Sequence, residues 1–361
     1  MIKKKKTKTI NIGPLKIGGG NRPLIQSMTN CSLEDTKTTV NQINVLKKEG
    51  ADLVRLAVKD LKLIPNLKKV IKSVDLPLIA DIHFNHKIAI EAIKAGINKI
   101  RINPGNISSP QKIKEIIKAA KDYQIPIRVG VNAGSLNLKK YPKVTPENLV
   151  LSALEQIKIF EDQNFFDLII SLKSSDIKQN ILANQLFSSK SDYPLHLGLT
   201  EAGFGETAII QSSILLSHLL LNGIGDTLRV SLTGDPVPEI RVAKKILESI
   251  GLKKASFKII SCPTCGRTSP HLDLLKIAQK IETTCKKKLV PLLKDQDKTI
   301  KIAVMGCEVN GPGEAKEAEV GIAAGQNQEV LLFAKGKKIK KIKIKDIVPE
   351  IFKQIEKNYL N

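Results

Sequence analysis

The sequence has no tryptophan, and aromatic residues make up only 4% of it. Its lysines therefore lack the interleaved rings on which single-stranded bases stack. No apolar run is long enough to span a bilayer, which excludes a helical membrane protein. The opening residues, MIKKKKTKTI, are basic, but no apolar stretch follows them, so they do not form a secretory signal. Cysteine is scarce and odd in number, five in 361 residues. That argues against a disulfide framework and for a reducing, cytoplasmic setting, where Cys-x-x-Cys binds metal or does chemistry. Acidic residues are short too: 35 Asp and Glu face 58 Lys and Arg, a formal charge of +23. A basic RNA-binding protein is one explanation of that excess, and an acidic protein partner is another. The lysines are dispersed along helical segments, so most of the excess is expected to be solvated surface. The densest run, KGKKIKKIKIK at 335–345, alternates Lys and Ile, as an edge hairpin does when charge blocks pairing with other sheets.

Apolar content of 42% is ample for a core, and with so few aromatics that core is aliphatic. Short aliphatic runs alternate with helix-like segments from residue 24 to about 251. The runs are PLIQSM, LVRLAV, PLIADIH, KIRINP, IPIRVGVN, DLIISLK, PLHLGLT and TLRVSLT. Gly50, Gly96, Gly223 and Gly251 mark helix ends. Eight such units predict a (β/α)8 TIM barrel over residues 1–255. A doubly wound sheet would carry a glycine-rich phosphate loop after its first strand, and QSMTNCS is not one. The segment TKTINIGPLKIGG predicts a small N-terminal hairpin that plugs the barrel bottom. After residue 255 the pattern changes to a smaller α+β domain, 256–361.

Side chains alternate between faces along a strand. In LVRLAV, Val54, Leu56 and Val58 oppose Arg55 and Ala57. In KIRINP, Ile100 and Ile102 oppose Arg101 and Asn103. In IPIRVGVN, Ile127, Val129 and Val131 oppose Arg128, Gly130 and Asn132. In TLRVSLT, Leu228, Val230 and Leu232 oppose Arg229 and Ser231. Ala80 and Ile82 oppose Asp81 and His83. The aliphatic face should pack on the helices, which points four arginines into the barrel, with Lys173 at the end of strand six. Buried unpaired cations are costly, and one inward acid, Asp81, cannot satisfy five of them. A strongly anionic ligand is expected at the C-terminal mouth, most simply a diphosphate or bisphosphate gripped by bidentate arginines.

In the second domain, SCPTCGRTSP places Cys262 and Cys265 three apart in a turn. Cys307 ends a later strand, as Cys262 ends its own, so a three-cysteine site is plausible. Cys31 and Cys285 belong to no spaced pair. A zinc ribbon would need a second Cys-x-x-Cys or a His pair, and the sequence has neither. Three thiolates and a vacancy suit an iron–sulfur cluster. Glu314, in NGPGE, is a candidate fourth ligand.

The motifs QSMTN, ADIHF, KIRINPGN, RVGVNAGSL, ISLKSSD, HLGLTEAG, GIGDTLRVSLT, SCPTCGRT and MGCEVNGPGEA resemble, in order and over nearly the whole chain, those of the 4-hydroxy-3-methylbut-2-enyl diphosphate synthases. The resemblance implies a TIM barrel that binds the cyclic diphosphate of methylerythritol, and one 4Fe–4S cluster per subunit in the C-terminal domain. It implies a homodimer in which one subunit's cluster domain caps the other's barrel, with ferredoxin or flavodoxin as electron donor and no nucleic-acid or membrane partner. It makes Cys262, Cys265, Cys307 and Glu314 the cluster ligands, and Arg55, Arg101, Arg128, Lys173 and Arg229 the diphosphate contacts. Asn132 and Ser231 match further substrate contacts, while Asp81, His83 and Glu201 match polar residues near the reacting carbons. Glu308, beside Cys307, departs from the aliphatic residue common in this family. Another phosphate-binding barrel enzyme with a structural zinc tail is the alternative from the residues alone.

Overall fold

Alternation of aliphatic runs with amphipathic segments becomes, in the computed structural model, eight parallel strands each followed by a helix. The structure describes residues 2–107, 109–293, 298–307, 313, 316–325 and 329–360. Packing divides the chain into two units, one ending at Lys253 and the other beginning at Lys254.

The first unit opens with the antiparallel hairpin β1 (Ile10–Ile12) and β2 (Leu15–Ile17). The barrel strands follow: β3 (Leu24–Met28), β4 (Leu53–Ala57), β5 (Leu78–Asp81), β6 (Lys99–Ile102), β7 (Ile127–Asn132), β8 (Leu168–Lys173), β9 (His196–Leu197) and β10 (Thr227–Leu228). They run in the order β8-β7-β6-β5-β4-β3-β10-β9, and a single bridge from Ile170 to Leu195 nearly closes the ring. The helices are α1 (Thr36–Glu49), α2 (Ile64–Ser73), α3 (His86–Lys94), α4 (Pro110–Asp122), α5 (Pro146–Glu161), α6 (Ile177–Lys190), α7 (Gly205–Leu221) and α8 (Val237–Ser249). Local chemistry sets their starts: Asp35, Asn85, Thr145 and Asp176 each accept a backbone N–H of the first turn, which satisfies donors the helix itself cannot.

The outward strand face is the aliphatic one. Val54, Leu56, Ile100, Ile102, Val129 and Leu228 are buried against the helices in one large core. Each such side chain contributes about 1.5–3 kcal/mol relative to exposure. The hairpin occupies the barrel floor, as its sequence predicts: Ile10, Ile12 and Ile17 pack with the inward Leu24, Leu53, Ile79 and Ile169.

Strands seven and eight are shorter than their sequences suggest. PLHLGLT and TLRVSLT yield only two ladder residues each. At Gly198 a Cβ would stand 2.7 Å from the Arg229 carbonyl oxygen and 3.0 Å from Lys173 Nζ, so the close approach there requires glycine. Arg229, expected inside a strand, lies one residue beyond β10.

The second unit is a five-stranded mixed sheet, β11 (Phe257–Ser261), β12 (Ile300–Met305), β13 (Val320–Ala324), β14 (Glu329–Ala334) and β15 (Lys337–Lys343), in sequential order. The first three are parallel and the last two antiparallel. Helices α9 (Leu274–Leu292) and α10 (Ile347–Ile355) cover it. The lysine-rich β15 is the edge strand, and only Ile342 of its seven residues is buried. No described helix is long and apolar enough to cross a membrane.

Candidate active site

Strand pairing puts the barrel's basic residues at neighbouring positions. Arg101 of β6 is in register with Arg128 of β7 and Asp81 of β5, and Asn132 with Lys173. Gly130 makes the room: a Cβ there would come within 3.1 Å of the Arg101 guanidinium and 3.2 Å of Ser171 Oγ. Any larger residue in that strand position would displace the arginine head.

Asp81 is the acid of this wall. It lies 3.2 Å from Arg101 Nη1 and 3.7 Å from Arg55 Nε. Burial alone would raise its pKa, but the Arg55 charge, the His83 hydrogen bond and Arg101 together hold it well below the usual carboxylate range. His83 Nε2 is 3.6 Å from Asp81 and 3.2 Å from Arg101 Nη1. Arg55 also directs Nε and Nη2 at the Met28 sulfur, at 3.1 and 2.9 Å. A thioether is a weak acceptor, so these contacts position the head without neutralising it. Burial, then the other arginines against Asp81, bring Arg55 down to about 10.

A second acid, unseen in the strand pattern, is Glu239 at the start of α8. It is buried, takes Arg229 at 3.0 and 3.2 Å, and accepts the Leu232 N–H. So loop and helix acids do pair internally with one of the five expected cations. Among the described residues they do not reach Arg128 or Lys173. Arg128 is 1% exposed, its Nη1 donates to Gln26 at 3.2 Å, and its Nε has no partner among the described residues. Lys173 is buried too, and among the described residues no carboxylate lies within ion-pair distance of either. Burial first, then the neighbouring arginines, push Lys173 well below the usual lysine range, and Arg128 is lowered by the same causes. Unpaired buried cations of this kind are ligand-binding candidates.

Asn132 ends β7, and Ser231 is half-buried beyond β10. Glu201 is exposed, in the loop between β9 and α7, at φ +56°. A left-handed backbone at a non-glycine residue is strained, and such strain gathers at functional loops. The Glu201 side chain has no hydrogen-bond or ion-pair partner among the described residues, so it is not joined to His83 or Asp81. Strand parity extends to residues not singled out from the sequence. Lys99 shares a face with Arg101, and Gln26 is buried and accepts from Arg128. His196, which alternation in PLHLGLT already places on the inward polar face, is buried as well. His196 Nδ1 meets Thr227 Oγ1 at 2.8 Å, and burial, then Arg128, keep the ring neutral.

In the second unit, Ser261 pairs with Val304, so parallel β11 and β12 deliver Cys262 and Cys307 to the same sheet end. The Gly306 N–H points at Cys262 Sγ at 3.4 Å. The turn carrying Cys265 is tied down by Cys265 N–H to Thr268 Oγ1 at 3.0 Å and Ser269 N–H to the Gly306 carbonyl at 2.8 Å. Hydrogen bonds from Arg267, backbone first, lower the Cys265 thiol pKa and favour thiolate. Among the described residues no three His, Cys, Asp or Glu side chains converge on a single-ion site; an iron–sulfur cluster anchors each thiolate on a separate iron. Two sheet-end cysteines, a tethered third with thiolate character and a donated N–H are chemistry that fits such a cluster. Glu314 and Glu308 lie outside the described residues. Cys285 is buried in α9, its thiol pushed up to about 12 by burial. Cys31 meets Gln42 and Thr39 at 3.2 and 3.4 Å.

Residues 7–244 match the family described as the GcpE TIM-barrel domain, and residues 258–357 the GcpE protein C-terminal domain. A protein of Caldanaerobacter subterraneus subsp. tengcongensis is 50% identical, covering 99% of both chains. One of Clostridium perfringens is 48% identical over 98% of this chain and 99% of its own. One of Fusobacterium nucleatum is 48% identical over 98% of each. All three are named 4-hydroxy-3-methylbut-2-en-1-yl diphosphate synthase (flavodoxin). Among solved structures, dihydropteroate synthase from Stenotrophomonas maltophilia aligns at TM-score 0.51 with 15% identity, over 66% of this chain and 98% of that one. The Yersinia pestis enzyme aligns at 0.51 with 12% identity, over 68% and 100%. Likeness at that identity speaks to the barrel fold alone.

Proposed function

The chain belongs to the GcpE family over both of its domains, and from that membership we propose that it catalyses the reaction its relatives are named for. The cyclic diphosphate of methylerythritol is opened reductively and loses water to give 4-hydroxy-3-methylbut-2-enyl diphosphate, a step of isoprenoid biosynthesis. The carrying observation is the set of buried barrel cations, Arg128 and Lys173 above all, that no described carboxylate neutralises.

Arg55, Arg101, Arg128 and Lys173 hold the diphosphate, with Arg229 presented by Glu239 and with Asn132 and Ser231 contributing polar contacts. A preorganised cationic cradle in a water-poor interior orients the ring without reorganising during the reaction. Asp81 keeps the heads of Arg55 and Arg101 aimed inward. Cys262, Cys265 and Cys307 hold one 4Fe–4S cluster per subunit, with Glu314 as fourth ligand. When bound, that cluster supplies two electrons, one at a time, which it takes from flavodoxin or ferredoxin. The ring C–O bond at the tertiary carbon breaks with its electron pair kept by the diphosphate oxygen, and the two added electrons form the C=C bond to the neighbouring carbon as the hydroxyl there takes one proton and leaves as water. Glu201 is the proton donor, with His83, aligned by Asp81, as the second.

Turnover of the cyclic diphosphate by anaerobic protein with a chemical reductant tests the proposal. Formation of the linear allylic diphosphate supports it. A cluster-loaded enzyme that leaves the cyclic compound unchanged sinks it.

A further inference from the structure

Lys99 starts β6 on the inward face, two residues before Arg101. It is 0% exposed and its Nζ has no hydrogen-bond partner among the described residues. Across the ladder it stands opposite Ile79, which belongs to the aliphatic floor with Leu24, Leu53 and Ile169. An aliphatic residue at Lys99 would extend that floor. A lysine there buries an amine that pairs with none of the described residues, which proteins avoid unless the group has a use.

The charged groups around it are nearly all positive. Arg128 of β7 acts on it most, then Arg55 of β4. Arg101 is on its own strand, and Lys173 of β8 shares the field of the same arginines. His196 of β9 is near enough to feel Lys99 and is itself held neutral. Asp81 of β5 is engaged by Arg55 and Arg101. Burial first, then Arg128 and Arg55, push the amine well below the usual lysine range.

Resting on the assignment of this interior as a diphosphate cradle, we propose that Lys99 is a further binding residue of the site, which takes a proton from solvent when a diphosphate enters. Without the anion, a neutral amine spares the barrel one more unpaired charge beside two arginines. With it, added negative charge in a low-dielectric interior restores the ammonium. The proton comes from buffer, and no bond of the ligand is made or broken. Linkage gives the sign: affinity rises as pH falls between the ligand-free and ligand-bound pKa of Lys99.

The test is calorimetric titration of the full-length, cluster-loaded enzyme under argon, in two buffers of different ionisation enthalpy. The ligands are the cyclic diphosphate and inorganic diphosphate. Each phosphorus of the cyclic compound carries one strongly acidic hydroxyl, so the compound does not titrate near neutrality. Inorganic diphosphate does, and there only the difference between proteins counts. Wild type should take up about one proton more than Lys99→Met. The variant should bind about tenfold more weakly, as for a lost hydrogen bond to a charged group. Ligand-free Lys99→Met should melt no lower than wild type, because methionine fills similar space without an amine; if it fails to fold, Lys99→Gln takes its place and is read the same way. Equal uptake in wild type and Lys99→Met overturns the proposal, as does uptake lost only in Lys173→Met. Lys99-dependent uptake with inorganic diphosphate, but no binding of the cyclic compound, upholds Lys99 and overturns the proposed substrate. Binding of the cyclic compound with equal uptake does the reverse. Binding of neither ligand overturns both.

Discussion

Inside the barrel, Arg128, Lys99 and Lys173 are buried above an aliphatic floor with no carboxylate partner among the described residues. Inside the C-terminal unit the buried set is Ile281, Leu289, Ile302, Val320, Ile322 and Leu332, and the lysines of β15 stand on the outer edge. The two interiors come from one aliphatic-rich chain and obey opposite rules. The C-terminal core stabilises itself by apolar burial. The barrel interior carries a cost of several kcal/mol for each unpaired ion, which its large outer core offsets. Such a cost persists where a ligand removes it. The barrel is thus built to be completed by an anion, and the second unit to hold two strand ends still.

The largest effects should separate the two. Cys262→Ala or Cys307→Ala should abolish the cluster, by iron and sulfide analysis, and all turnover, while calorimetric binding of the cyclic diphosphate to the barrel survives. Turnover in either variant would break the division of labour. Glu314→Ala sharpens it: iron content should stay and activity should fall to a small fraction, and an unchanged rate would remove Glu314 from the ligand set. Next in size is Arg128→Ala. It should cost about 2–5 kcal/mol of substrate binding, as for a desolvated charged contact, with the cluster spectrum unchanged. Unchanged substrate affinity in that variant would show that the inward arginines do not make the cradle.

That comparison was partly legible in the sequence, and the limits are physical. Alternation with period two exposed Arg55, Arg101 and Arg128, because a residue type foreign to barrel interiors recurred on one face. The same alternation read one step earlier in KIRINP reaches Lys99, since Lys99 and Arg101 share parity. Glu239 was not legible: it comes from a helix, and nothing in its spacing foretells that it turns inward to Arg229. The early end of β9 and β10 was hidden for a similar reason. Alternation marks which residues could pair and not how far the pairing runs, which is set by contacts between distant segments such as the approach of Lys173 and the Arg229 carbonyl to Gly198. Cys262 and Cys307 could be paired from sequence because each ends a strand, and parallel neighbours end together.

Acid should also act on the two regions unequally. Asp81 has a lowered pKa, so its stabilisation is present above the unfolded value of about 3.9 and fades as pH falls through the folded one. His196 is buried neutral with a lowered pKa, so below about 6.5 the unfolded chain takes up a proton that the folded one resists. Both signs destabilise the barrel as pH drops, His196 below about 6.5 and Asp81 only below about 3.9, by up to about 1.4 kcal/mol per pH unit for each group, while buried Asp226, whose pKa is raised by burial, acts in the opposite sense. The described C-terminal core buries no carboxylate or histidine of this kind. Amide exchange followed from pH 7 to about 3 should therefore show β5, β6 and β7 losing protection before β13 and β14. Simultaneous loss would mean that the barrel charges do not set its acid limit.

The smallest expected effect concerns the outside. The +23 formal charge covers both regions, and part of it is already engaged: on β15, Lys340 reaches Glu350 and Lys341 reaches Glu329. Exposed pairs of this kind contribute about 0–1 kcal/mol, which leaves ample basic surface to steer an acidic electron carrier. Opposite charge raises association rates, and salt screens that attraction within a Debye length of about 8 Å at physiological ionic strength. A small chemical reductant needs no protein docking. Turnover driven by flavodoxin should accordingly fall several-fold as sodium chloride rises from 50 to about 300 mM, while turnover driven by dithionite or a viologen falls much less. The inward arginines act in both assays, so any salt effect on substrate binding cancels in the ratio of the two rates. A ratio that does not change with salt would assign the surface lysines to solvation alone, and would leave the barrel interior as the place where this chain's positive charge acts.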